Sequence, residues 1–164
     1  MEDETGPGGG RGASRAPHRE GALSIDEEGR FLVHGDPITH ERTLEVLWRS
    51  LERVPDGTWQ VRVGREVAAV AVAETPFAVR GVLEAGGTLV LRVSGGAEEP
   101  LDPSTLRVGP DGVLRCALRD GRPARFTRAA QLAVGALLEE DASVPSGFRI
   151  ALGGSCWPVG GSGG

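Results

Sequence analysis

An internal repeat restricts the fold of this chain more than any other feature of its sequence. A turn, a strand, a Gly-x-Pro break, a threonine, an amphipathic helix and a second strand occur in that order twice. Gly35 corresponds to Gly121, Pro37 to Pro123, Thr39 to Thr127 and Trp59 to Phe148, at offsets of 86 to 89 residues. Small insertions account for the drift. Self-similarity of this kind marks a duplication.

In the first copy, Leu23, Ile25, Phe31 and Val33 mark short strands around a turn at Glu28 and Gly29. Gly35 and Pro37 stop the strand, and Thr39 is placed to cap a helix. Leu44, Leu47, Leu51 and Val54 recur at helical spacing, which predicts a helix over roughly 40 to 54. Trp59, Val61 and Val63 then alternate as a strand. In the second copy a turn at Gly112 leads to the same order, and Ala130, Ala133, Val134, Leu137 and Leu138 supply the helix face. Between the copies, "VAAVAVAETPFAVRGVLEAGGTLVLRV" predicts two or three strands that complete the first half. The expected fold is α+β, each half a small antiparallel sheet packed on one helix.

This division gives a disordered N-terminal arm over 1–21, a first repeat over 22–95, a connection over 96–107, a second repeat over 108–159 and a flexible tail over 160–164. The arm is built from Gly, Pro, Arg and acids, with almost nothing to bury.

A formal net charge of -5 in 164 residues argues against general nucleic-acid or anionic-membrane binding, since both need a broad basic face. All 18 positive side chains are arginine, and the chain has no Lys, Asn or Tyr. The codons of the missing types are AT-rich, so a GC-rich genome accounts for the bias. Only the placement of the arginines is informative. The start of the chain lacks an apolar stretch behind a positive end, and the longest strongly apolar run, at 67–73, is too short to cross a bilayer. A cytoplasmic location is expected. Cys116 and Cys156 have no CxxC or His/Cys company, which predicts two reduced, mostly buried thiols. A redox pair is the alternative if their strands are neighbours.

Several ordered motifs carry a resemblance to a known family. "SIDEEGRFLVHGDPITHERTLEVLWRSLER", "DGTWQV", "VAETPFAV", "LRV", "RDGRPARFTRAAQL" and "GG" followed by "WPV" are spread over residues 22 to about 159. Together they resemble an uncharacterised bacterial domain-of-unknown-function family, number twelve eighty-five. The resemblance implies a duplicated α+β core whose second half is loosely pleckstrin-homology-like. It also implies a nucleotide-like ligand between the halves and a role in signal transduction. The chain departs from the family pattern at Thr75, where the family has Asp, and at Ser104 and Thr105, where it has His-Pro. Near Ala130 and Gln131, small and polar residues replace an aromatic pair.

The candidate site is the arginine cluster. Residues 115–128 hold Arg115, Arg119, Arg122, Arg125 and Arg128 against the single acid Asp120. Thr127 is placed to cap the second helix, whose free N–H groups and positive dipole end suit a phosphate or carboxylate. The expected ligand-binding set is Arg107, Arg119, Gly121, Arg125, Thr127, Arg128 and Glu66, with the arginines on an anion and Glu66 or Glu74 on a ribose or base. The same features also fit a solvated or salt-bridged turn for the arginines and a solvated strand face for the glutamates. No cofactor, metal site or catalytic set is expected, because His34 and His40 lack a third ligand at metal spacing. The partner is then a nucleotide-like anion or, alternatively, an acidic surface of another protein.

Overall fold

Residues 22–161 are described in a computed structural model of the chain. The expected arm over 1–21 and positions 162–164 of the expected tail lie outside them. The described residues form two compact units, one of residues 22–26 and 30–73 and the other of residues 27–29 and 74–161.

In the first unit, β1 (Leu23–Ile25), β2 (Phe31–Val33) and β3 (Asp36–Pro37) form an antiparallel meander. Helix α1 (Glu41–Ser50) follows, and then a second meander of β4 (Leu51–Arg53), β5 (Trp59–Val63) and β6 (Glu66–Val72). Parallel pairing of β1 with β6 joins the two into one sheet of order β3-β2-β1-β6-β5-β4. Alternation along the strands sends Ile25, Phe31, Val61 and Val70 to one face, where Leu47 of α1 closes the core. Trp48 meets Phe31 edge-on, with ring centroids 4.9 Å apart.

Two local expectations are corrected in this unit. The cap of α1 is His40 rather than Thr39, and its Nδ1 accepts a hydrogen bond from the Thr43 N–H at 3.3 Å. The helix ends at Ser50 rather than near 54, because Leu51–Arg53 turns extended and pairs with β5, Leu51 opposite Val61. Apolar residues at 47, 51 and 54 suit either form, and the strand ladder supplies backbone partners that a helix end lacks.

In the second unit, β7 (Ala78–Ala85), β8 (Thr88–Val93) and β9 (Glu98–Pro100) form a meander. A one-turn 3-10 helix over Pro103–Thr105 leads to β10 (Arg107–Val108), β11 (Leu114–Ala117) and β12 (Pro123–Phe126). Helix α2 (Arg128–Gly135) precedes β13 (Leu138–Glu140), β14 (Phe148–Leu152) and β15 (Ser155–Pro158). The main sheet has the order β10-β11-β12-β7-β8-β9, with β12 and β7 parallel, while β13-β14-β15 forms a sheet of its own. Val79, Leu91, Phe126, Val134 and Ile150 lie at the centre of the core.

The duplication is real. Strands β1–β3, α1 and β4–β6 repeat the order of β10–β12, α2 and β13–β15, and Trp59 and Phe148 both open the strand expected of them. Gly35 and Gly121 both take left-handed φ values, +86° and +89°. In the first copy the strands after the helix stay in the main sheet. In the second, β7–β9 occupy that place instead, although the sequence assigned β7 and β8 to the first repeat. Alternation shows which face of a strand is buried, not which strand lies beside it. The expected connection over 96–107 likewise holds β9 and the 3-10 turn, and Gly160 of the expected tail bridges to Arg107.

The turn between β1 and β2, residues 27–29, clusters with the second unit. Gly29 has φ +77°, and a Cβ there would stand 2.6 Å from Ser94 Cβ and 2.8 Å from Ala78 Cβ. Ser94 is itself fixed, donating to the Pro76 carbonyl at 2.9 Å and accepting from the Ala78 N–H at 3.0 Å.

Among the described residues no helix is long and apolar enough to cross a membrane. Both cysteines are free thiols, in different sheets. The expectation of burial is met by Cys116, whose thiol burial pushes up to about 12. It fails for Cys156, which is exposed opposite Ala151.

Candidate functional site

The arginine-rich segment folds as β11, a turn at Gly121, β12 and the first turn of α2. Arg115 and Arg125 are cross-strand partners, as are Cys116 and Ala124. Alternation therefore puts both guanidinium groups on one face while Cys116, Ala124 and Phe126 enter the core. Like charges directly opposite repel, and these side chains are only 12% and 17% exposed. Poorly hydrated cations this close need carboxylates.

Glu74, just before β7, supplies the first. Its Oε2 accepts from Arg115 Nε at 2.6 Å, and its Oε1 accepts from Arg115 Nη2 at 2.9 Å and Arg125 Nη1 at 3.0 Å. Asp111 supplies the second, its oxygens accepting from Arg115 Nη1 at 2.9 Å and Nη2 at 3.0 Å. Arg125 also lies 3.5 Å from Glu27 and 3.6 Å from Asp111. The Arg115 hydrogen bonds hold the carboxyls of both Glu74 and Asp111 below their ordinary range, with Arg125 adding to the effect on each.

A pH dependence follows. Glu74 and Asp111 have lower pKa values folded than unfolded. The stability they contribute is therefore fully present above about pH 5 and lost as pH falls through the depressed folded values. In melts between about pH 7 and 2, the Glu74→Gln/Asp111→Asn variant is expected to lose less stability on acidification than the unaltered chain. Equal acid slopes for the two proteins would refute this role.

Arg122 is paired as well. Its Nε donates to Asp120, its Nη2 to Glu99 Oε2 at 3.2 Å, and its guanidinium lies 4.8 Å from the Phe77 ring centre. Glu99, a buried acid on β9, also accepts from the Arg119 N–H. Three of the five arginines of the cluster are thus paired, with Glu74 and Glu99 distant along the chain as well as with the nearby Asp111 and Asp120. Among the described residues no ion pair involves Arg107, Arg119 or Arg128, and all three side chains are exposed.

Within the second unit a groove of about 420 Å³ opens at the head of α2. Arg125, Thr127 and Arg128 line it with Glu27, Glu28, Asp111, Gln131 and Leu132. Thr127 is the expected cap: its Oγ1 accepts from the Ala130 N–H at 3.2 Å. That leaves the N–H groups of Arg128 and Ala129 without intrahelical acceptors at the groove. Gln131 is committed on both sides, accepting from the Leu114 N–H at 2.8 Å and donating to the Gly112 carbonyl at 2.9 Å.

Arg107, Arg119 and Gly121 do not line this groove, and Glu66 belongs to the first unit. Glu27, Glu28 and Asp111 are the charged lining residues that sequence reasoning missed as site residues. Asp111 carried a signal, since a hairpin turn four residues before Arg115 returns an acid to it. Of the departures from the family pattern, Gln131 alone reaches the groove. Thr75 is buried and donates to the Pro123 carbonyl at 2.8 Å, while Ser104 and Thr105 bond to Asp102 in the 3-10 turn.

These features define a class: a duplicated α+β protein with two six-stranded sheets, each holding one parallel pair. No family model matches the chain, and no curated protein matches it. Solved structures do match, and they are DUF1285 family proteins of bacteria. The protein from Silicibacter pomeroyi DSS-3 superposes with a TM-score of 0.63 at 18% identity, over 84% of this chain and 79% of that one. The protein from Shewanella baltica OS155 gives 0.53 at 16% identity, over 70% and 91%. At these identities the likeness is one of fold.

Proposed function

We propose that the chain is a cytoplasmic ligand-binding or signalling module, rather than an enzyme, and that it takes a small anionic, nucleotide-like ligand in the groove at the head of α2. The observation that carries this reading is the convergence of Arg125, Thr127 and Arg128 on one groove of about 420 Å³. Arg128 and the first N–H groups of α2 meet a phosphate or carboxylate, a role suited to a guanidinium fork at a helix start. Arg125 supports them from the side, and Glu27 and Glu28 accept from hydroxyl or amino groups.

Thermal melting against a panel of nucleotides tests it. A ligand at about 100 times its dissociation constant adds about 2.7 kcal/mol of apparent stability, a shift of several degrees. The shift is expected to shrink in Arg128→Ala. A flat panel for the unaltered chain would count against the reading.

A second reading, docking of another protein, is favoured by an apolar groove of about 370 Å³ in the first unit. It is lined by Arg42, Thr43, Val46, Leu47 and Val63, with Val46 and Val63 38% and 47% exposed. An apolar patch with a basic rim is the form that an acidic partner surface would meet.

A further inference from the structure

The apolar groove of the first unit has a complementary segment in the same chain, and the inference rests on the docking reading given above for that groove. Val46 and Leu47 of α1 line it together with Val63 of β5, and Arg42 lines it one turn before Val46. At about 100° per residue, Arg42 and Arg49 lie about 40° and 60° round the helix from Val46, while Glu41 and Glu45 lie about 100° or more away. Arg65 follows in the turn that joins Val63 to Glu66. Among the described residues no ion pair involves Arg42, Arg49 or Arg65, and all three are exposed. Glu66, the strand partner of Val63, offsets one of these three charges and leaves the rim positive.

The complementary charge stands ahead of β1. Glu2, Asp3 and Glu4 follow Met1, and the sequence that joins them to Ala22 is rich in Gly and Pro. Strand β1 runs parallel to β6 with Leu23 opposite Val70, so the chain enters the sheet from the end where the β5–β6 turn lies. Four residues along β6 and two strand spacings across the sheet put Leu23 about 16 Å from Val63. Glu4 is 19 positions before Leu23. A Gly-rich chain of that length has a root-mean-square span of about 24 Å, enough to reach the groove. Tethering at such a span gives an effective concentration in the millimolar range, so a weak contact suffices. We propose that this acidic segment docks in the chain's own groove. Met1 lies against Val46 and Val63, where its flexible side chain suits an irregular gap, and Glu2, Asp3 and Glu4 pair with Arg42, Arg49 and Arg65. An acidic partner then has to displace the segment, which regulates access to the groove.

The test uses the full chain. A nitroxide attached through Thr5→Cys, with Cys156→Ser to remove the exposed thiol, is expected to broaden the amide NMR signals of Arg42, Thr43, Val46 and Val63. Glu2→Gln/Asp3→Asn/Glu4→Gln is expected to remove most of that broadening, as are Arg42→Gln/Arg65→Gln and added salt. A synthetic peptide of residues 1–8 is expected to shift the same amides, binding the acid-neutralised chain about threefold tighter than the unaltered one. Undiminished broadening in the neutralised chain would overturn the proposal. Equal peptide binding by both chains without broadening would overturn it too, and would leave the groove as a docking site for another protein. Broadening of equal size with the nitroxide on one copy and the isotope label on another would assign the groove to a second copy instead. If neither broadening nor peptide shifts appear, both the proposal and the docking reading fall.

Discussion

Phe126→Ala is expected to destabilise the second unit by about 3–5 kcal/mol, and Phe31→Ala the first unit by a similar amount. Both rings are almost fully buried, at 2% and 1% exposure, and they belong to separate hydrophobic clusters. Removing either leaves a cavity that the sheet behind it cannot fill, since strand positions are fixed by their ladders. Hydrogen exchange resolved along the chain is the appropriate measurement. Phe31→Ala is expected to release β1, β2, β5 and β6 while protection of β7, β8, β11 and β12 persists, and Phe126→Ala to do the reverse. The double variant should lose the sum of the two effects to within about 0.5 kcal/mol. Equal loss of protection in both units from either substitution would show that the clusters act as one core.

Gly29→Ala is expected to cost about 3 kcal/mol, far more than an added methyl group does on a surface turn. Two effects combine. The left-handed φ of +77° is unfavourable by roughly 1–2 kcal/mol for a residue with a Cβ. The new carbon would also stand 2.6 and 2.8 Å from Cβ atoms of Ser94 and Ala78, neither of which can rotate away. Moving Ser94 would break its buried bonds to Pro76 and Ala78. Gly35→Ala is the control: φ is +86°, but nothing lies within 4 Å, so only the backbone cost applies. Similar losses in the two variants, measured by urea unfolding, would show that the contact at Gly29 is unimportant.

Much of this fold is legible in the sequence because period and punctuation are local. The alternation of Trp59, Val61 and Val63, the paired Gly-x-Pro breaks and the Thr127 cap each need only a few neighbouring residues. Sheet membership is not local: β7 pairs with β12, some 47 residues on, and nothing within Ala78–Ala85 names that partner. The same limit governs the site. The gathering of Arg115 and Arg125 in one short segment is visible, but Glu74 lies 41 and 51 residues away from them. A cluster that reads as strongly basic therefore has three of its five arginines paired once folded. The Leu51 correction has another origin, since helix and strand rules are both satisfied there and the sheet decides.

The parallel pairs also impose an order of events during synthesis. Every strand of the first sheet has left the ribosome once Val72 has emerged, so that sheet can close early. The second cannot close until Phe126 arrives, and until then β7 lacks its inner neighbour. Residues 27–29 are made first and docked late, waiting for Ala78 and Ser94 to be in place. A nascent chain held between these points would carry a finished sheet beside an open strand edge, the state in which strand edges are most prone to pair with another chain.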